Sequence, residues 1–497
     1  MLVKTPFMDH QRRAFQLMEG RKFFALLMEQ GTGKTLVLLA NSLRSYSTGE
    51  VDGALVIAPN GVHINWVVEE IPKHVPDYTP LRAAYWSATP NRKERDTLWS
   101  IFDVRKDGEI PPIRILTMNV EALNTEKGFE MAERFLLSGR MHMIIDESQR
   151  IKNSRARRTK AAKRLKHLAS ARFISTGTAV TKSPVDAFSQ FQFLEDGLLG
   201  TNSETAFRAE YCELLPPGHG LMRHIMQRTR GKYVPQVVAR DEEGRPKYRN
   251  LEQLQKLIEP HSFRVLKSEC MDLPEKIYQT RFFHLSASQR KAYKQMEDEL
   301  RFELSSEEFQ TVSSLASLVK LQEITSGYIK SMGDLHSIGD SNPRISLLMD
   351  VLEDLEGSVI IWARFRKELD DIESALKAAE ETYCVMHGGV KVRDRPGVIR
   401  SFQNGEARVF LGQPQSGGIG IDLTKAETVI YFSNDFNLET RLQSEDRAHR
   451  KGTVHKVAYI DLVALDTIDE RIVSSLQRKQ DVAAAVMGDF LKHKRGG

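Results

Sequence analysis

Lys34 closes the run MEQGTGKT (28–35), which lies between an apolar stretch, FFALL (23–27), and a helical pattern, LVLLANSL (36–43). A strand, a Gly-rich turn and a helix start in that order aim unpaired backbone amides and the helix dipole at one point, forming an anion cradle. Gly31 and Gly33 let the backbone approach phosphate, Lys34 supplies a point charge for the β- and γ-phosphates, and Thr35 offers a hydroxyl to Mg2+. The strict GxxxxGK[ST] pattern is incomplete, because Met28 stands where its first glycine belongs. Asp146 and Glu147 follow the apolar run MHMII (141–145), at the strand end where open α/β sheets bind ligands. There Asp146 would hold Mg2+ while Glu147 orients and deprotonates an attacking water. Arg447 and Arg450, three residues apart in QSEDRAHRKG (443–452), would share a helix face and bring positive charge to the far side of a γ-phosphate. Each fragment alone has a plainer reading, as a glycine turn, a helix cap or a solvated face. In this order they describe phosphoryl transfer to water.

The elements that must position these residues are legible as short β-rich runs alternating with helical patterns, the signature of parallel α/β sheets. The first half offers ALVIA (54–58), RILTM (114–118), MHMII (141–145) and RFIS (172–175). The second offers SVIIW (358–362), YCVMH (383–387), RVFLG (408–412), TVIYF (428–432) and KVAYI (456–460). Two α/β lobes are the simplest architecture. Between them, residues from about 200 to 350 are polar, with helical spacing and few strand candidates. ARDEEGRPKYRN (239–250) reads as an exposed turn or hairpin, and Leu285 to Ile329 as helical. Residues 467–494 read as an amphipathic helix capped by Thr467.

At 497 residues the chain exceeds one ordinary core, so roughly two to four domains are expected. Its 71 Lys and Arg against 66 Asp and Glu leave a net charge of +5, so a nucleic-acid surface has to come from clustering. One cluster is visible: residues 148–172 carry many Lys and Arg and no Asp or Glu. A phosphate backbone would relieve their mutual repulsion by releasing counterions, and a solvated face is the alternative. Cys212, Cys270 and Cys384 are scattered, which supports neither a zinc site nor a disulfide framework and predicts a reducing compartment. No run of about 18 apolar residues occurs and the N-terminus reaches polar DHQRR (9–13) before a signal-peptide core could form, so a cytoplasmic protein is expected.

Taken together the motifs resemble the SNF2 branch of the superfamily 2 helicase-like ATPases, from about Phe7 to Lys479. FMDHQRRAF (7–15) resembles the adenine-reading Q motif, with Gln11 its key residue, and MEQGTGKT resembles motif I. ALVIAPNGVHINWVVE (54–69), DESQ (146–149) and STGTAVTKSP (175–184) are similar to motifs Ia, II and III. VIIWARFRKELD (359–370), GQPQSGGIGIDLTKAETVIYFSNDFN (412–437) and RLQSEDRAHRKG (441–452) resemble motifs IV, V and VI. The resemblance implies two RecA-like parallel-sheet lobes with helical insertions: a first lobe over 1–270 with an insertion at about 197–262, and a linker over 271–279. A second lobe would span 280–480 with an insertion at about 286–332, followed by a helical tail over 481–497.

It further implies an ATPase that uses ATP and Mg2+ and translocates along duplex DNA without sequence specificity, as a monomer. Gln11, Gly31, Thr32, Gly33, Lys34, Thr35, Gly420 and Asp422 would bind the nucleotide, with Thr35 and Asp146 at the metal. Lys34, Asp146, Glu147, Arg447 and Arg450 would be catalytic. Gln149, Thr176, Gly177 and Thr178 would couple nucleotide state to DNA grip. Asn60, His63, Lys152, Asn153, Lys160, Lys163, Ser416 and Gly417 would meet DNA. The sequence departs from the family at Gln149, where DEAH-type members have His, at Ala179, where Pro is usual, and in HRKGT, where HRIGQ is common. The absence of a chromatin-reading extension suggests a minimal bacterial or viral member. A strand-separating helicase and a catalytically silent DNA-binding scaffold stand as alternatives.

Overall fold

The apolar run before the phosphate loop forms β1 (Phe23–Met28). Its sheet is completed by β2 (Gly53–Ala58), β3 (Leu81–Tyr85), β4 (Ile113–Asn119), β5 (Met141–Asp146), β6 (Ala171–Ser175) and β7 (Ser262–Val265). All seven pair in parallel, in the order β3-β4-β2-β5-β6-β1-β7. Helices cover both faces, which is why the central strands read as unbroken apolar runs. Alternate residues feed two separate cores: Ala25, Leu27, Leu55, Ile57, Met143 and Ile145 on one face, Phe24, Leu26, Ala54, Val56 and Ile144 on the other.

A second parallel sheet has the order β12-β13-β11-β14-β15-β8. Its strands are β8 (Lys276–Phe283), β11 (Val359–Trp362), β12 (Tyr383–Met386), β13 (Val409–Gly412), β14 (Thr428–Tyr431) and β15 (Val457–Ala464). It too separates two cores, with Val359, Ile361, Leu411 and Ile430 on one face and Ile360, Trp362, Phe410 and Val429 on the other. An antiparallel pair, β9 (Tyr328–Ser331) and β10 (Asp334–Ser337), lies outside it.

This computed structural model describes residues 2–487 except 104–109, 181–182, 217, 221, 224–225, 227–235, 243–244, 306–310, 332–333, 392–393, 416–420 and 451. The chain divides into two units, Met1–Cys270 with the stretch from Lys479, and Met271–Arg478. Among the described residues no helix is long and apolar enough to cross a membrane. The helical pattern expected from Leu285 to Ile329 is corrected. Helices occupy Ala287–Ser305 and Thr311–Thr325, and Gly327 at φ +90° then turns the chain into β9. The last helix, Ile468–Met487, is capped as expected, the Asp469 amide donating to Thr467 Oγ1 at 3.2 Å.

Candidate functional site

Sheet order places three motifs side by side. Adjacent strands β5, β6 and β1 end at Asp146, Ser175 and Met28, and Ser175 is in register with both Asp146 and Leu26. The carboxylate pair, the loop after β6 and the phosphate loop therefore emerge at one sheet edge.

The loop runs from Glu29 to Gly33, and the helix Lys34–Ser47 follows it. Gly31 and Gly33 have φ of +80° and +83°, a conformation that side-chain-bearing residues rarely adopt. A Cβ on Gly33 would also lie 2.2 Å from Gln11 Nε2. Gln11 is buried and hydrogen-bonds the loop, donating to Thr32 O at 3.0 Å while its Oε1 accepts from the Met8 amide at 3.0 Å. His10 Nε2 donates to the same Thr32 carbonyl at 2.9 Å. Lys34 is buried, its ammonium donating to Met28 O at 3.0 Å and Glu29 O at 3.3 Å at the end of β1. Thr35 is half-buried in the first helical turn.

Asp146 and Glu147 are each 6% exposed. Asp146 Oδ1 accepts from Ser175 Oγ at 2.6 Å and the Glu147 amide at 3.1 Å, and Oδ2 from Trp66 Nε1 at 3.1 Å. Trp66 and Ser175 are thus supports for Asp146 that chemical reasoning on the sequence did not select. Glu147 has φ +53°, a left-handed backbone that costs energy in a non-glycine residue and points its carboxylate away from the strand line. That carboxylate accepts from Gln30 Nε2 of the phosphate loop at 3.4 Å and from Gln149 Nε2 at 2.8 Å.

Gln149 continues the chain of bonds. Its Oε1 accepts from Thr176 Oγ1 at 2.7 Å, and Thr176 Oγ1 accepts from the Thr178 amide at 3.0 Å. A parallel path runs from Ser148 Oγ to Gln190 Oε1 at 2.7 Å, and from Gln190 Nε2 to Ala179 O at 2.6 Å. Gly177 packs so closely on the phosphate loop that a Cβ there would sit 3.2 Å from the Gln30 amide nitrogen. Arg264, on β7, ties Leu27 O at 3.0 Å to Gly177 O at 3.2 Å. Nothing in the local sequence around Arg264 signals that role, because its targets lie on β1 and beyond β6.

In the second unit the helix face expected for the arginine pair is corrected. The helix Leu438–Glu445 stops before Arg447, and Arg447–Arg450 lies in turns. Carbonyls that a longer helix would use are taken: Arg447 O by the Leu423 amide at 3.0 Å and Ala448 O by Thr453 Oγ1 at 2.9 Å. Arg447 is 8% exposed, donates to Pro414 O at 2.8 Å and lies 5.0 Å from the Trp362 ring centroid. Burial pulls its guanidinium down to about 10, which leaves it charged at neutral pH. Arg450 is half-buried. Asp422 is exposed and holds its own turn, Oδ1 accepting from Thr424 Oγ1 at 2.8 Å and Gln403 Nε2 at 3.1 Å. Gly420, Ser416 and Gly417 lie outside the described residues.

The expected DNA contacts divide by exposure. Asn60, Asn153 and Lys160 are exposed, and Lys152 is half-buried. His63 is 3% exposed, with Nε2 donating to Trp86 O at 3.2 Å, so it is placed inside the fold and not at a DNA-facing surface. Lys163 is half-buried, donates to Gln192 Oε1 at 2.7 Å and lies over the Phe188 ring. The absence of acidic partners expected for this segment is corrected too: Lys166 pairs with Asp196 at 2.7 Å and Arg172 with Glu195 at 2.7 Å. Those carboxylates come from more than twenty residues downstream, beyond the reach of local charge reading.

Phosphate loop, strand-end acids and arginine turn define the class, and comparison with known proteins gives the family. The SNF2-related domain matches residues 10–327 and the helicase conserved C-terminal domain residues 343–452. The chain belongs to the SNF2-related family. It is 27% identical over 475 residues to a protein of Mycoplasma genitalium named as an uncharacterized ATP-dependent helicase, covering 94% of this chain and 40% of that one. It is 25% identical over 480 residues to the SWI/SNF chromatin-remodeling complex subunit snf22 of Schizosaccharomyces pombe, covering 92% of this chain and 26% of that one. The chain thus spans about two fifths or less of these relatives' length. A solved structure, the Sulfolobus solfataricus SWI2/SNF2 ATPase core in complex with dsDNA, is 23% identical with a TM-score of 0.40, covering 98% of this chain and 94% of that one.

Proposed function

We propose that this chain is a Mg2+- and ATP-dependent motor that couples hydrolysis to movement along duplex DNA. The observation that carries the reading is Glu147. Its carboxylate is hydrogen-bonded both to Gln30 of the phosphate loop and, through Gln149, to Thr176. A base poised beside a phosphate cradle and wired to a neighbouring loop can both activate water and report the nucleotide's state.

In this reading Gly31 to Thr35 bind the triphosphate, with Gln11 holding the loop's shape and Lys34 turning from the strand carbonyls to the β- and γ-phosphates. The donors suit Mg2+, a hard cation that keeps several waters and needs few protein oxygens: the Thr35 hydroxyl and Asp146 would hold it. When bound it supplies charge neutralisation on the phosphate oxygens. Asp146 already accepts three hydrogen bonds, which fix its carboxylate for that task. Glu147 takes the proton of the attacking water, and Arg447 and Arg450 supply positive charge to the transition state. Asn60, Lys152, Asn153 and Lys160 form the DNA-facing set; His63 is left out because it is buried. Gly420, Ser416 and Gly417 keep their proposed nucleotide and DNA roles from the family resemblance alone. The cytoplasm is the proposed compartment.

ATP hydrolysis measured with blunt duplex, single strand and fork tests the reading. Duplex should stimulate the wild type, and Lys34→Ala and Glu147→Gln should abolish the activity. Stimulation by single strands alone would favour a strand-separating helicase. Hydrolysis no greater than in these two variants under saturating DNA would make the chain a silent scaffold.

A further inference from the structure

The turn carrying Arg447 and Arg450 is attached at both ends to the segment that opens the second unit. At its N-terminal end, Glu445 is 2% exposed and accepts three side-chain donors: Lys276 Nζ at 3.0 Å, Tyr278 Oη at 2.8 Å and Arg441 Nε at 2.8 Å. Arg441 is in turn held by Asp461 and by Asn434 Oδ1 at 2.8 Å, with its guanidinium 3.5 Å from the Tyr431 ring centroid. At the other end, His449 is 6% exposed and its Nε2 lies 2.6 Å from Pro274 O. A carbonyl only accepts, so Nε2 carries the proton.

Stability alone gives a weak reason for this arrangement. Buried ion pairs often add no more than apolar residues of the same volume, and their best-attested contribution is to fix one geometry against others. Three donors on one carboxylate leave Glu445 a single rotamer, two residues from Arg447. The His449 bond does the same one residue from Arg450. Both anchors lie within five residues of one another, at Pro274, Lys276 and Tyr278, directly after the boundary at Cys270 and Met271.

We propose that Glu445 and His449 are positioning residues for the arginine turn, fastening Asp446–Arg450 to Pro274–Tyr278 so that the start of β8 and the residues just before it set where the two guanidinium groups stand. This rests on the role given to Arg447 and Arg450 above. Glu445 and His449 touch no nucleotide; they act through their neighbours.

The test is steady-state ATP hydrolysis by the full chain at saturating duplex DNA, with melting temperature and nucleotide affinity measured beside it. His449→Phe keeps the ring volume and removes the donor. It should lower kcat about tenfold, the equivalent of one buried hydrogen bond, with KM for ATP within about twofold. His449→Gln, which restores a donor near the Nε2 position, should recover most of the rate. Added to Arg450→Ala, His449→Phe should cost less than about twofold more, because the group it positions is already gone. Tyr278→Phe, which removes one Glu445 donor from an exposed residue, should lower kcat in the same direction with little change in melting temperature. Wild-type kcat in both His449→Phe and Tyr278→Phe would overturn the proposal, as would a His449→Phe deficit that persists in full on the Arg450→Ala background. A deficit that tracks only a loss of melting temperature would overturn it too, reducing the network to a structural brace. If Arg447→Ala and Arg450→Ala themselves hydrolyse ATP at the wild-type rate, it is the underlying arginine assignment that fails.

Discussion

Gln149→Leu severs the bond path between Glu147 and Thr176 while nearly conserving volume at a site only 1% exposed. Two side-chain hydrogen bonds disappear, one of 2.8 Å to a carboxylate and one of 2.7 Å from a hydroxyl. The bond to the charged partner is worth about 1.5–3 kcal/mol and the neutral one about 0.5–1.5 kcal/mol. If the charged bond acts on the hydrolytic step, as Glu147's alignment requires, kcat falls about 10- to 150-fold at roughly 1.4 kcal/mol per decade. The two bonds lost run to Glu147 and Thr176 and not to the phosphate loop, so the KM for ATP should stay within about threefold. The assay is ATP hydrolysis with and without saturating blunt duplex, beside direct nucleotide binding. DNA stimulation should fall more than basal turnover, because Thr176 loses its link to the base. Gln149→His, one nitrogen donating and the other accepting, should restore much of the loss. The reasoning is refuted if Gln149→Leu keeps a DNA-stimulated kcat within about twofold of wild type, or if Gln149→His is as slow as the leucine variant.

Gly33→Ala combines a left-handed φ with a 2.2 Å clash against Gln11, whereas Gly49→Ala meets φ +72° in open space. Both should lose about 1–2 kcal/mol of stability, but only the first should weaken nucleotide binding, read by calorimetry. Lys160→Glu should lower duplex affinity and flatten its salt dependence by about one counterion, measured by fluorescence anisotropy against salt. Lys166→Glu, at a side chain only 2% exposed and paired with Asp196, should instead lower the melting temperature. Burial pulls the His142 imidazole down to about 4, so the folded chain refuses a proton that the unfolded chain takes up from about 6.5. Its stability contribution is therefore complete above pH 6.5 and lost as the pH falls toward 4, about 3 kcal/mol in all. Urea melts at pH 7 and pH 4.5 should show that loss, and His142→Phe should flatten it.

Runs that are apolar on both faces announced themselves. Gly53–Ala58, Met141–Asp146 and Thr428–Tyr431 lie within a residue of the patterns that suggest them, because burial on both sides leaves no polar position to blur the signal. Of the sheet-edge strands β12 is legible as YCVMH (383–387), but β3 and β8 are not, for the converse reason. Leu81–Tyr85 is mostly half-buried, and Lys276–Phe283 shows exposed side chains along nearly its whole length. At the site, residue types that bind phosphate and Mg2+ carry their chemistry in their identity, so Lys34, Asp146 and Glu147 could be picked out once their order along the chain was taken together. Their supports could not. Trp66, Ser175, Gln30 and Arg264 acquire meaning only once β5, β6, β1 and β7 lie side by side. The acidic partners of the basic segment were hidden in the same way, since Asp196 and Glu195 pair with two of its cations from a distant part of the chain.

The position of β1 has a consequence for how the protein is made. Of the strands in its sheet it is the first to leave the ribosome, yet its two neighbours are β6, which begins at Ala171, and β7, which ends at Val265. Through most of the first unit's synthesis the segment Phe23–Met28 has an unsatisfied edge on either side, which leaves it open to wrong pairing. The Glu29 amide at the mouth of the phosphate loop donates to Val265 O at 3.1 Å. A chain interrupted before β7 cannot close that bond, so the mouth of the loop reaches its final bonding at the end of the unit's assembly and not at its beginning.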